Sequence, residues 1–233
     1  MKTKLLVLII ALFFILSGCK NAASIENSSY IISSSSDSSS GVAVNELKKV
    51  YKDESYSNSL IQINYPQFQT QQENYQAINE EIAAAIPTYV TATCGEDREG
   101  LTLEMDYSVY THQGKWLSVV FEGLLNVSSA THPSNQLFSL NFDLTTGKRA
   151  TLNDMIPADS TTIEKLRNAY PPVDEKTEWL QGISDEELLE LLKSSDSLFG
   201  DTYSYFSSEG LHISLPAPHA IGDHVEFLLS DAL

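Results

Sequence analysis

Between Leu101 and Leu144 apolar residues return at every second position, and a chain so patterned has little choice but to form β-sheet. Leu101, Leu103, Met105, Tyr107 and Val109 share one side while Thr102, Glu104 and Asp106 share the other, as in a half-buried strand. His112-Gln113-Gly114-Lys115 supplies a glycine turn and Trp116 to Val127 a second long strand, so a β-hairpin is the simplest arrangement of the pair. Gln136 to Leu144 is a third strand, with Phe138, Leu140, Phe142 and Leu144 on one face. Thr145-Thr146-Gly147-Lys148 then turns the chain, Gly147 being suited to a positive φ and Asp143 to bonding local amides. Arg149 to Leu152 pairs briefly before Asn153-Asp154.

Either side of this block the period lengthens. Leu60, Ile61, Ile63 and Tyr65 make a short strand expected to stop at Pro66, because proline has no backbone donor for a ladder. Thr70-Gln71-Gln72-Glu73 fits a capping box for a helix over Asn74 to Ile86, whose stripe is Tyr75, Ile78, Ile82, Ala85 and Tyr89, with Pro87 at its frayed end. Thr161-Thr162-Ile163-Glu164 and Ser184-Asp185-Glu186-Glu187 are two more such boxes. The helices they open carry Ile163, Leu166 and Tyr170, then Leu188, Leu191 and Leu192, and Pro171-Pro172 ends the first. Thr202 to Phe206, Leu211 to Leu215 and Val225 to Leu229 are short strands, the first two joined at Glu209-Gly210. This order implies an α+β fold, an antiparallel sheet with packed helices, in one domain or two small ones.

The first nineteen residues obey a different logic. Lys2 and Lys4 hold the start on the cytoplasmic side, and the apolar run from Leu5 to Leu16 suits a cleavable signal but falls short of the roughly 20 residues of a spanning helix. Leu16-Ser17-Gly18-Cys19 resembles the lipobox of bacterial lipoproteins, in which the cysteine receives a diacylglycerol and becomes the mature N-terminus. The expectation is a signal peptide over residues 1–18 and a lipid on Cys19 that anchors the chain to the cell membrane on its extracytoplasmic face. Lys20 lacks the aspartate associated with inner-membrane retention, so an outer membrane is equally open in a two-membrane bacterium. Residues 19–44 are a serine-rich tether, unable to bury enough apolar surface to fold and reaching about 25 to 30 Å.

Charge narrows the partners. The net charge is −17, and it becomes more negative still when Lys2 and Lys4 leave with the signal. Such a surface repels nucleic acid, teichoic acids and anionic headgroups, and it either favours cationic partners or serves solubility. Apart from Cys19 the chain has only Cys94, which excludes an internal disulfide. Cys94 lies in Cys94-Gly95-Glu96-Asp97-Arg98-Glu99-Gly100, expected to be a loop with a stray thiol.

Candidate sites are sparse. His132 stands beside Pro133 between two strands, where a loop would present it for binding; the alternative is a turn that orients the strands. Trp116, Tyr107 and Tyr110 could form an aromatic sugar platform, though aromatics in paired strands usually pack. His219, Asp223 and His224 match no standard metal spacing, so no metal or other cofactor is expected. Asp185, Glu186, Glu187 and Glu190 crowd one helix start as a solvated face, and the sequon Asn126-Val127-Ser128 carries little meaning here. No carboxylate or serine is tied to His132 by a recognisable catalytic spacing, and the chain is expected not to be an enzyme.

The ordered part resembles the extracellular region shared by lysozyme-sensing anti-sigma factors of the RsiV type and the accessory domain of PdaC-type peptidoglycan deacetylases. The resemblance rests on Tyr65-Pro66-Gln67, the helix with Ile78-Asn79, Ala130-Thr131-His132-Pro133, Phe142-Asp143-Leu144-Thr145-Thr146-Gly147-Lys148 and Leu152-Asn153-Asp154. Ser208-Glu209-Gly210-Leu211-His212-Ile213 and Ile221-Gly222-Asp223-His224-Val225 extend it, so it covers about Leu60 to Leu229. Pro216 to Asp223 is shorter than that family's usual connection, and no anti-sigma helix or deacetylase domain accompanies it. The resemblance implies two small sequential α+β subdomains, a PdaC-type one over 45–134 and an RsiV-type one over 135–233. It also implies a non-enzymatic binding role, with a cationic protein such as a lysozyme-like hydrolase, or peptidoglycan, as ligand. An accessory or enzyme acting on glycan is the alternative it leaves.

Overall fold

The computed structural model describes residues 44–53, 58–169 and 175–229. The signal segment, Cys19, nearly all of the tether, Tyr170 and Pro171-Pro172 lie outside the described residues. The α+β expectation holds, because the described residues form a six-stranded sheet, a three-stranded sheet and five α-helices.

The first sheet is a run of neighbours in chain order: β1 (Asn45–Asp53), β2 (Leu60–Gln69), β3 (Leu101–His112), β4 (Trp116–Val127), β5 (Ser134–Asp143) and β6 (Lys148–Ala150). The hairpin of β3 and β4 forms as patterned, pairing Met105 with Gly123 and His112 with Trp116. Its turn puts Gln113 and Gly114 at φ 51° and 64°, the left-handed pair that matches strand twist. Two features depart from expectation. The strand β1 pairs antiparallel along the whole of β2, and β2 runs parallel to β3 from Leu60 to Ile63, so one βαβ unit interrupts an otherwise antiparallel sheet. Pro66 therefore lies inside a strand, opposite Lys48; beyond Ile63, β2 is paired on one side only, which lets proline turn its nitrogen off the ladder.

The crossover helix α1 (Glu73–Cys94) is longer than the sequence suggested. The Thr70 box does not form, since Gln72 caps without a side-chain bond and the Thr70 hydroxyl accepts from Gln72 N instead. Pro87 sits inside the helix, on its exposed side with Ala83, and its missing N–H takes the helical partner from the Ala83 carbonyl. Cys94 is correspondingly the last helical residue, half-buried against the core, and burial pushes its thiol pKa up. In the loop beyond it Arg98 pairs with Asp53 of β1 and donates to Gly95 O and Thr91 Oγ1. That cluster ties the sheet edge to the helix end.

After β6 come α2 (Leu152–Met155), α3 (Ser160–Asn168), α4 (Glu175–Gly182) and α5 (Asp185–Lys193). The Ser184 and Glu187 box caps α5 as expected, but α3 is capped by Asp159, which accepts from Thr161 N and Thr162 N. An unforeseen box of Thr151 and Asp154 opens α2, and α4 was not foreseen. The chain closes with β7 (Tyr203–Phe206), β8 (Leu211–Pro216) and β9 (His224–Leu229), all antiparallel. Ser134 opens β5, which pairs with β4 from Ser134 to Asp143, so the division expected there falls within one sheet.

Two cores result. The first packs α1 residues Ile78, Ile82, Ile86 and Val90 on Ile63, Leu103, Val119, Phe121, Phe138 and Leu140. The second gathers α2 to α5 around β8 and β9, with Leu152, Leu166, Leu188, Leu192, Ile213 and Phe227 all buried. β7 lies against β4 and β5, so Trp116 to Phe121 of β4 and Leu137 to Phe142 of β5 are buried on both faces.

Candidate functional site

The junction between the sheets is polar where a core would be expected. As the edge of the second sheet, β7 has outward backbone groups that need partners. Ser118 Oγ accepts from Phe206 N (2.9 Å) and donates to Asn141 Oδ1 (2.6 Å), while Ser139 Oγ and Asn141 Nδ2 donate to Ser204 O (2.6 and 2.7 Å). Asp196, just past α5, completes the edge: its carboxylate accepts from Ser204 N, Ser204 Oγ and Leu152 N at 2.6 to 2.7 Å. Its φ of 63° is left-handed, and its carbonyl accepts from Arg149 Nη2. Burial pushes the Asp196 carboxyl up to about 6, although the Ser204 and Leu152 hydrogen bonds and Arg149 pull it down. The alternation of β5 leaves Ser139 and Asn141 opposite its apolar face, and nothing in the sequence marks Asp196.

Of the candidate binding residues, Trp116, Tyr110 and His132 do not converge. Trp116 is 5 % exposed, belongs to the second core and stacks 6.3 Å from Phe206, with Lys115 Nζ 4.2 Å above its ring. Tyr110 is half-buried, stacked on Tyr205 at 6.2 Å. Both rings are occupied by packing, which leaves Trp116 no face for a sugar. His132 is exposed in the loop between β4 and β5, its ring centroid 6.3 Å from that of His219. His219 Nδ1 lies 2.8 Å from Asp223 Oδ1, and Asp223 Oδ2 accepts from Asn135 N at 2.7 Å, so this group fastens the turn before β9 to β5. No cluster of three or more metal-ligating side chains occurs among the described residues.

One constellation has the composition of a hydrolytic triad. Ser207 Oγ is 2.8 Å from His212 Nε2, and His212 Nδ1 is 3.9 Å from Glu226 Oε2. The last distance exceeds a hydrogen bond, and Glu226 Oε2 is instead taken by Tyr205 Oη. Ser207 is 8 % exposed and its Oγ accepts from Glu209 N, which makes it a turn-former. His212 lies flat on Tyr205, ring centroids 4.7 Å apart. The group positions a hairpin and offers a substrate no approach.

A cavity of about 960 Å³ forms a groove between α4 and α5, with Pro216 in its wall. Its apolar surfaces are Trp179, Ile183 and Leu191, and the charged residues lining it are all glutamates: Glu178, Glu186, Glu187 and Glu190. Glu187 is committed to its cap and Glu190 pairs with Lys193 at 3.1 Å, leaving Glu178 and Glu186 as the forward charges. Arg167 is drawn away, bridging Asp185 and the carbonyls of Leu180 and Ile183, which fixes the angle between the two helices. The acidic helix start was legible in the sequence; the apolar wall was not, because Trp179 and Ile183 belong to the unforeseen α4 and its exit. Among the described residues no helix is long and apolar enough to cross a membrane.

No family model matches the sequence, and no curated protein matches it. The fold is similar to the crystal structure of a DUF3298 family protein from Pseudomonas aeruginosa PAO1, at 13 % identity over 81 % of this chain and 90 % of that one, with a TM-score of 0.48. It is similar also to a member of that family from Bacteroides fragilis NCTC 9343, at 13 % identity over 80 % and 89 % of the two chains, with a TM-score of 0.43.

Proposed function

We propose that this chain is an extracytoplasmic lipoprotein, anchored by a lipid on Cys19, whose ordered part is a non-enzymatic module that binds a cationic protein in the groove between α4 and α5. The groove carries the reading, since an apolar trough whose charged lining among the described residues is all glutamate suits a segment that presents apolar anchors flanked by lysine or arginine. The chain's net charge of −17 adds long-range steering toward such a partner. The resemblance to lysozyme-sensing proteins makes a lysozyme-like hydrolase the most concrete candidate. A lipid anchor with a tether of some 25 residues would hold the module at the membrane surface while leaving it free to reorient.

The test uses the full chain in detergent, with lysozyme as the probe. Binding is expected at low salt and to weaken steeply as salt rises. The double reversal Glu178→Lys and Glu186→Lys is expected to weaken it at least tenfold, mainly through slower association, and Trp179→Ala through faster release. Cys19→Ser is expected to move the chain from the detergent phase to the aqueous phase. Equal lysozyme binding by the wild type and the double reversal would remove the groove from the mechanism, and retention by neither would remove this ligand.

A further inference from the structure

The groove between α4 and α5 is ordered in rows. Trp179 and Ile183 stand one helical turn apart on α4 and its exit, and Leu191 faces them from α5; all three are half-buried against the second core. Beside these runs a wholly exposed row on each helix, Glu178 and Gly182 along α4 and Glu186, Glu190 and Ser194 along α5. The groove thus has an apolar floor with a carboxylate on either rim. Glu190 is held by Lys193 only at the surface, both side chains being more than half exposed, so a docked cation can replace Lys193 at little cost.

The walls also decide what backbone conformation can lie against them. Apart from Pro216, the lining residues belong to α4, α5 and the turns that close them. Pro216 ends β8, which is already paired by β7 and β9, and it has no N–H to offer. No strand edge therefore lines the groove, and an extended segment would turn backbone groups toward walls that cannot pair with them. A helix brings its backbone hydrogen bonds with it. At 1.5 Å per residue, α4 and α5, of 8 and 9 residues, give the groove a length of about 12 to 14 Å, which matches apolar anchors at i, i+3 or i+4, and i+7. Gly182 leaves a gap in the α4 rim, where a Cβ would meet nothing within 4 Å, so another backbone can approach closely there.

Resting on the reading that a cationic partner docks in this groove, we infer that the element recognised is a segment of that partner bound as an amphipathic α-helix of about three turns. Its apolar stripe lies on Trp179, Ile183 and Leu191, and lysines or arginines on its two flanks meet Glu178 at one rim and Glu186 and Glu190 at the other. The helix completes a three-helix packing with α4 and α5, closest to α4 at Gly182.

The test uses the full chain in nanodiscs of zwitterionic lipid, with empty discs as the blank and three synthetic peptides as probes. One carries leucines at helical spacing with lysines on both flanks; a second has the same composition with leucine and lysine alternating; a third keeps the helical pattern with glutamate in place of lysine. The first is expected to bind at least tenfold more tightly than the second, and the third not at all. Infrared spectra of the first peptide with isotope-labelled carbonyls should show it helical when bound. Gly182→Leu, which fills the gap without displacing any neighbour, is expected to weaken it at least tenfold at an unchanged melting temperature, and Trp179→Ala to weaken it as well. Equal binding of the two leucine-lysine peptides, an extended bound peptide, or full affinity in both Gly182→Leu and Trp179→Ala would overturn the helical element alone, provided that lysozyme binding still responds to the double reversal at Glu178 and Glu186. Indifference of both lysozyme and the first peptide to that reversal would overturn the groove and this inference with it.

Discussion

Alanine at Asp196 is expected to cost the protein about 3 kcal/mol or more, much of the 5 to 15 kcal/mol that holds a domain of this kind together. The carboxylate accepts three hydrogen bonds in a fully buried place, from Leu152 N, Ser204 N and Ser204 Oγ. Truncation leaves at least the two amides without an acceptor, at about 1 to 3 kcal/mol each. Alanine at φ 63° adds about 1 kcal/mol of backbone strain that aspartate tolerates better. The affected amides open α2 and edge β7, so the loss falls on the junction between the two sheets. Urea denaturation is the measurement: the midpoint should drop sharply, whereas Ser118→Ala, which forfeits bonds to Phe206 N and Asn141, should cost about half as much. A loss below about 1 kcal/mol for Asp196→Ala would mean that β7 does not dock as described.

The same carboxyl gives stability a pH dependence with a definite sign. Its native value of about 6 lies above the ordinary value of about 4, so between those pH values the folded state binds more protons than the unfolded chain. Stability is therefore greatest, as far as this group is concerned, below pH 4, and is lost as pH rises toward 6, by roughly 3 kcal/mol at most. In Asp196→Asn, which keeps a residue tolerant of left-handed backbone, that slope should disappear while the rest of the pH profile remains.

The contrast between what the sequence disclosed and what it hid is clearest in β5. Alternation identifies Phe138, Leu140 and Phe142 as one face, and they are buried as expected. It leaves Ser139 and Asn141 on the opposite face without saying what covers them, because a period of two says only which residues share a face; here β7 covers it, and the polar side chains bond its free edge. β1 escaped for a related reason. Lys48, Lys49 and Lys52 mask its alternation, as suits an edge strand, and only pairing with β2 makes it a strand. Pro87 misled in the opposite direction, since its helix-breaking tendency is local while the burial of Tyr89 and Val90 beyond it is tertiary. The acidic groove needed both kinds of information: charge at the start of α5 was in the sequence, and the apolar wall depends on how α4 returns against it.

Gly123→Ala is expected to be the other severe substitution, because no side-chain adjustment can relieve it. Gly123 pairs with Met105 across β3 and β4, and its φ is ordinary, so its role is close approach rather than turn-making. A Cβ there would sit well inside contact distance of the Glu104 carbonyl oxygen, and 2.7 and 2.8 Å from Met105 Cγ and Cα. Met105 Cγ could rotate away, but the other two atoms are backbone, and β3 is held on its far side by β2 while β4 is held by β5. Relief requires the β3–β4 ladder to separate locally, which forfeits hydrogen bonds in the centre of the sheet and costs about 3 kcal/mol or more. Gly182→Ala serves as the control: it ends α4, a Cβ there meets nothing within 4 Å, and it should be neutral or stabilise by up to about 1 kcal/mol. Melting temperatures of the two variants measured side by side decide the matter, and an unchanged value for Gly123→Ala would contradict the pairing of Gly123 with Met105.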